Sequence, residues 1–283
     1  MKSPRGEPDI EPFFLGSGAK QRFCLFHRPV GTCRGAVLYV HPFAEELNRT
    51  RRMAALQARQ LAAFGYGVLQ IDLYGCGDSA GDFGDASWPQ WKEELAAGAA
   101  WLCDRLDQPV TLWGLRLGAL LALDYAREAR HDLAPMLLWQ PVLNGSSYLT
   151  QFLRLRTVGA MLGEDAAAQT STQGLRHALQ SGQTIEIAGY DLSPGLALVI
   201  DRLNEPEAMT PAAPVRWFEV LGALGQGLGA ATIRVAASWQ TQGIDVQVHA
   251  VSGPQFWATS EITTCPGLIE ATTAYLQGET HAV

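Results

Sequence analysis

Apolar residues along the chain form short unbroken runs separated by longer stretches in which they recur every three or four positions, so strands and helices alternate from the start. Arg22–Phe26 and Gly35–Val40 predict strands, and the second is apolar almost throughout, as in a sheet covered on both faces. His41-Pro42-Phe43 breaks that run. From Asn48 to Phe64 the residues Met53, Leu56, Ala58, Leu61 and Ala62 recur near helical spacing and Gly65 supplies a stop, which predicts one amphipathic helix. Gly67–Leu73 reads as another buried strand, and Tyr74-Gly75-Cys76-Gly77-Asp78-Ser79 carries the residues of a tight turn. Trp88–Leu106 predicts a helix with Pro89 in its first turn, Val110–Trp113 a strand, Ala119–Ala129 a helix and Pro135–Trp139 a strand. This order predicts a mostly parallel sheet with right-handed crossovers and helices on both faces, an α/β fold.

Between about Gly145 and Pro211 the alternation stops. A helical segment (Tyr148–Leu162), an Ala/Gln/Ser/Thr-rich passage (Ala166–Gln183) and an irregular run (Thr184–Leu203) read as an inserted cap. Val215–Val220, a helix around Ala230–Gln240, Ile244–Val251 and a last helix Gly267–Leu276 resume the pattern. The predicted organisation is a core of residues 1–144 and 211–283 carrying a cap of residues 145–210.

Composition narrows the class. With 283 residues, 47% hydrophobic and 17% charged, the chain has enough apolar material for a large core, which excludes disorder as its main state. No apolar run approaches the roughly 18–20 residues of a membrane span. The balance of 21 Lys+Arg against 28 Asp+Glu, without a basic stripe, argues against a nucleic-acid partner, because phosphate neutralisation carries most of that binding. The partner expected is a small molecule, and a protein partner stays open. Cys24, Cys33, Cys76, Cys103 and Cys265 are odd in number, scattered and in no CxxC pair, which fits neither a disulfide framework nor a zinc site. No metal or cofactor is expected. Met1–Glu11 carries Pro4, Glu7, Pro8 and Asp9 in place of an export signal's apolar stretch, and the expected compartment is the reducing cytoplasm.

The segment Val110-Thr111-Leu112-Trp113-Gly114-Leu115-Arg116-Leu117-Gly118-Ala119 is a strand, a tight turn and a helix start, the pattern of a nucleophile elbow. With His41-Pro42-Phe43 where an oxyanion loop would lie, the Asp72–Ser79 turn and the late insertion, nearly the whole chain resembles the α/β-hydrolase superfamily. The resemblance implies a hydrolase acting on an acyl or ester bond. The elbow residue, however, is Arg116, whose guanidinium stays protonated and cannot attack a carbonyl. After Val215–Val220, where the superfamily places an acid, the chain reads Leu221-Gly222-Ala223-Leu224, with Glu219 the nearest carboxylate. The loop expected to hold the histidine reads Ser252-Gly253-Pro254-Gln255-Phe256-Trp257, and His249 lies within the strand. All three positions of a Ser-His-acid triad depart from the pattern. Gly114–Ala119, His41–Glu46 and Gly253–Trp257 together resemble a narrower group, the exosortase A system-associated hydrolase 2 proteins, which accompany PEP-CTERM sorting and exopolysaccharide production in bacteria. That resemblance implies a cytoplasmic bacterial protein and no particular substrate.

Arg116 has two readings. As a clamp it holds an anionic ligand, helped by the following helix's N-terminus, by backbone donors of Leu117 and Phe43, and by a frame of His41, Gln255 and Trp257. As a plug it pairs with Glu45, Glu46 or Glu219, since a charge on a pocket floor needs a partner. Glu45 and Glu46 sit where a loop meets a helix, so the helix dipole accounts for them without catalysis, yet either could activate water. Asp72 and Asp78 read as turn-forming side chains, and Phe256 and Trp257 as packing or as pocket wall. Cys76 is the one potential nucleophile near the pocket, with no histidine beside it in sequence to activate it. Two functions follow: a hydrolase working by a route without the triad, or a non-catalytic pseudo-hydrolase that binds an anion or a partner's carboxylate through Arg116.

Overall fold

The structure, a computed structural model, describes residues 9–162, 171–204, 210–222 and 226–278. Parts of the expected cap (163–170 and 205–209), most of the Met1–Glu11 stretch, and Ala223-Leu224 of the loop expected to hold the acid lie outside the described residues.

Eight strands form one sheet: β1 (Ile10–Leu15), β2 (Arg22–His27), β3 (Gly35–Val40), β4 (Tyr66–Ile71), β5 (Val110–Leu115), β6 (Met136–Trp139), β9 (Val215–Leu221) and β10 (Val246–Ser252). Their order is β1-β2-β4-β3-β5-β6-β9-β10. β1 and β2 run antiparallel to their neighbours and the six strands from β4 to β10 are parallel. The helices that flank them are α1 (Glu45–Ala63), α2 (Trp88–Leu106), α3 (Leu117–Ala126), α7 (Ala230–Thr241) and, after the last strand, α8 (Pro266–Leu276).

The central strands are apolar on both faces because helices cover both. Leu38, Leu112 and Leu138 point toward the layer holding α2 and α3, whereas Tyr39, Trp113 and Trp139 point toward α1 and α8. Trp139 shows how an indole is accommodated there: its Nε1–H donates to Thr272 Oγ1 of α8 at 2.9 Å. At the end of β5 the backbone of α3 approaches so closely that a Cβ on Gly118 would collide with the carbonyl oxygens of Val40 and His41, and one on Gly114 with Ala119. These two glycines bring β3, β5 and α3 together at one point.

The stretch between β6 and β9 holds more regular structure than expected. It forms α4 (Gly145–Leu162), α5 (Thr172–Gln180), a hairpin of β7 (Ile185–Ile187) and β8 (Tyr190–Leu192), and α6 (Pro194–Arg202). The Gln/Ser/Thr-rich passage therefore contains a helix capped by Ser171, and the irregular run a hairpin and a helix capped by Ser193. Arg176 ties α5 to its neighbours through Asp201 of α6 and Ser146 and Thr150 of α4. Two further differences lie in the core: β1 was not expected, and α1 begins at Glu45 rather than Asn48, which puts both glutamates in its first turn.

Candidate functional site

Three strands end close together in strained backbone. Ala44, Arg116 and Gln140 follow β3, β5 and β6, neighbours in the sheet, and have φ of 49°, 56° and 41°. Each such non-glycine residue costs on the order of 1–3 kcal/mol and persists only where its surroundings over-determine it. At Arg116 the constraints are explicit: its N–H donates to Trp139 O at 3.0 Å, and its C=O accepts from Ala119 N and Val142 N, each at 3.1 Å. At Gln140 the N–H donates to Phe218 O at 2.8 Å and the side-chain Oε1 accepts from Val220 N at 2.7 Å. Ala44 and Arg116 hold the N-cap positions of α1 and α3 with nearly the same dihedral pair, so both helices start from the same kind of sharp turn.

Above these turns lies a cavity of about 420 Å³, walled by Glu45, Glu46, Arg116, Tyr148, Gln255 and Trp257 among others. Arg116 Nε is 3.2 Å from Glu46 Oε1, and both side chains are largely buried. The guanidinium carbon lies 5.3 Å from the Trp257 ring centroid and 5.8 Å from that of Tyr148, within cation–π range of both. Nη1 and Nη2 meet no acceptor among the described residues. Plug and clamp are thus not exclusive, since one edge of the guanidinium is paired and the other donors stay uncommitted. Of the three proposed partners, Glu46 makes the pair. Glu219 does not: it accepts from Thr232 Oγ1 at 2.6 Å, held by α7 on its own side of the sheet.

The two glutamates are electrostatically uncomfortable. Glu46 Oε2 and Glu45 Oε2 are buried without a donor. Burial pushes both carboxyls above the ordinary range. For Glu46 the Arg116 charge, its hydrogen bond and the Tyr148 hydroxyl pull back while Glu45 pushes the same way as burial; for Glu45 its own backbone N–H, Arg49 and Arg116 pull back. Burial thus favours the protonated form of both carboxyls, and Arg116 can hold an anion.

His41, Phe43 and Leu117 lie off this cavity. They line a small apolar gap beneath it with Cys76 and Trp91. His41 is a structural clamp: Nδ1–H donates to Pro42 O at 2.8 Å and Nε2 accepts from Leu73 N–H at 3.2 Å, which requires the neutral ring, and burial lowers its pKa accordingly. Cys76 is buried, and burial with nearby Asp72 and Glu94 pushes its thiol far up, the opposite of an activated nucleophile. Asp72 accepts from Asp78 N–H at 3.0 Å and pairs with Arg51 at 3.2 Å, a turn-forming role. His249 stacks on Phe218 within the sheet, ring centroids 4.9 Å apart. Gln255 and Trp257 do line the cavity. Residues not anticipated there are Arg49, Gln140 and a stripe on α4 of Tyr148, Gln151, Phe152 and Leu155, whose i, i+3, i+4, i+7 spacing was the one signal that could have found it. Among the described residues no group of three or more His, Cys, Asp or Glu could hold a metal ion, and no helix is long and apolar enough to cross a membrane.

The sheet order, the flanking helices and the elbow at the end of β5 define an α/β-hydrolase fold. Solved structures match it along nearly their whole length. A carboxyl esterase from Bacillus coagulans, in complex with glycerol, is 15% identical, with 95% of this chain and 98% of that chain covered and a TM-score of 0.65. A monoglyceride lipase from Saccharomyces cerevisiae, bound to a substrate analog, is 14% identical over 100% of this chain and 98% of that chain, with a TM-score of 0.60. Est1E from Butyrivibrio proteoclasticus, with ferulic acid bound, is 14% identical over 92% of this chain and 95% of that one, with a TM-score of 0.59. More narrowly, residues 31–184 match the serine aminopeptidase, S33 family (Hydrolase_4), and the chain belongs to it. No curated protein matches the chain.

Proposed function

We propose that this protein uses the hydrolase fold to bind an anionic small molecule at Arg116 and performs no acyl-serine chemistry. The observation that carries the reading is Arg116 itself: it occupies the elbow, borders a cavity of about 420 Å³ and, among the described residues, keeps Nη1 and Nη2 free of protein acceptors. The volume suits a small ligand, and Phe152 and Leu155 on α4 offer an apolar strip for part of its body. The departure of all three expected triad positions from the Ser-His-acid pattern, and the lack of an imidazole on the cavity among the described residues, support the same reading. Residue 116 is not a nucleophile, His249 is stacked inside the sheet and Glu219 is committed to Thr232. In this reading residues 145–210 form a lid on a core of residues 1–144 and 211–283, because α4 supplies one cavity wall.

A second reading, hydrolysis of an acyl or ester bond by water activated at Glu45 or Glu46, is favoured by the raised carboxyls beside an oxyanion-holding cation and by the family. The sequence resemblance to exosortase-associated proteins supports a cytoplasmic role beside a bacterial exopolysaccharide system. Purified protein separates the two readings. Calorimetric titration with benzoate and inorganic phosphate, alongside a panel of activated esters, should give binding that Arg116→Met abolishes and no ester turnover; turnover lost in Glu45→Gln or Glu46→Gln would establish the hydrolase instead.

A further inference from the structure

The charges around the cavity balance before any ligand arrives. Its walls carry two carboxyls, Glu45 and Glu46, and two guanidiniums, Arg49 and Arg116. Only one ion pair forms among them, Arg116 with Glu46. Arg49 reaches the backbone O of Trp257 at 3.4 Å, and Glu45 makes no ion pair. A monoanion seated on the uncommitted donors of Arg116 would therefore leave this partly open cavity with one uncompensated negative charge beside the buried Glu46. Burying such a charge is costly, and proteins avoid the cost by neutralising a group. The site contains the group to neutralise, because Glu45 and Glu46 each bury an oxygen that no donor reaches, and protonation removes the charge that such an oxygen would otherwise carry unsolvated.

We propose that the cavity takes up a carboxylate together with one proton, the carboxylate on Arg116 and the proton on the Glu45–Glu46 pair. This inference rests on the anion-binding reading above. The ligand class follows from the walls: a carboxylate for the guanidinium edge, on an apolar body that packs against Phe152 and Leu155 of α4. The groups facing the pair from each neighbouring element are Arg49 on α1, Arg116 at the elbow, Tyr148 on α4, Tyr190 on β8 and Tyr39 on β3. None of these five takes up a proton near neutrality: the two arginines are already cationic, and Tyr39, Tyr148 and Tyr190 are raised, which keeps them neutral. The charge on Glu45 disfavours the ionised form of Glu46, so a proton on either carboxyl relieves the other. Nothing is oxidised or cleaved: one proton leaves the solvent and the site's net charge is unchanged.

The test is calorimetric titration with benzoate from pH 5.5 to 8.5, repeated at pH 7 in two buffers of different ionisation enthalpy. Affinity should fall about tenfold per pH unit above the pair's apparent pKa, the slope of one linked proton, and the buffer dependence should report uptake of about one proton. Glu45→Gln, a change at a half-buried position, should reduce both the slope and the uptake while binding persists. Benzoate binding that Arg116→Met abolishes but that shows no pH slope and no uptake would overturn the proton coupling and leave anion binding standing. No benzoate binding at any pH by folded protein would overturn both.

Discussion

At Arg116 the side chain and the backbone make opposite demands, and each can be tested separately. The guanidinium neutralises Glu46 in a largely buried setting, so Arg116→Met should destabilise the fold by about 3–5 kcal/mol, the cost of stranding one partner of a buried pair. Glu46 can escape by taking a proton, so the loss measured by urea unfolding should be larger at pH 8 than at pH 5. The native protein should show the same sign more weakly. A carboxyl raised above its ordinary value of 4.5 binds more protons folded than unfolded, so Glu45 and Glu46 lower stability as pH rises from there through their raised values. Backbone strain is the other half. Ala44 has φ 49° and ψ −125°, where glycine is at ease and alanine is not, and its side chain is one methyl. Ala44→Gly should therefore raise stability by about 1 kcal/mol, strain relief exceeding the added unfolded-state entropy. A loss on the same urea scale would mean that the turn before Glu45 is unstrained.

At the scale of elements, the site depends on how closely α3 approaches β3. Gly118 has backbone oxygens of Val40 and His41 where a methyl would go, and neither can swing aside as a side-chain end could. Gly118→Ala should cost about 3 kcal/mol, the upper part of the usual overpacking range, and weaken anion binding by moving the elbow away from Glu46. A variant as stable as the parent would show that α3 can slide. The same element was legible in the sequence because its cues are local: an apolar strand, two glycines four apart, and an apolar helix with almost no polar face. α5 was not, because Gln, Ser and Thr around Leu175, Ala178 and Leu179 hide a short apolar stripe that only burial against α4 and α6 makes decisive. β7 and β8, three residues each, are too short for alternation to register. β1 escaped notice for a related reason: as an edge strand it tolerates Glu11 and Pro12, which would argue against a central one.

For the molecule as a whole, fold and chemistry separate at a single position. The core, the elbow and the family are those of serine hydrolases, yet a fold does not imply a reaction, and residue 116 decides which reactions are open. The candidates at Arg116, Glu45 and Glu46 could be read from the sequence because turns and helix starts are local. Which glutamate pairs with the arginine could not, because 70 residues separate Glu46 from Arg116 and only the sheet order joins them. The Tyr148 wall was hidden likewise, since α4 returns from the far side of β6. Arg116→Ser turns this separation into a measurement. The substitution places a hydroxyl on an elbow whose backbone is already in the strained geometry a nucleophile uses. A serine still needs a base, and among the described residues no imidazole borders the cavity: His41 is consumed by Leu73 and Pro42, and His249 lies stacked in the sheet. Glu46, freed of its arginine and protonated more readily, is a poor substitute at neutral pH. Arg116→Ser and the parent protein should therefore both remain unlabelled by a fluorophosphonate probe in intact-mass measurements. Stoichiometric labelling of the variant alone would show that Glu45 or Glu46 can serve as the base and that this fold is one substitution from esterase chemistry; labelling of the parent would place a competent serine elsewhere in the chain.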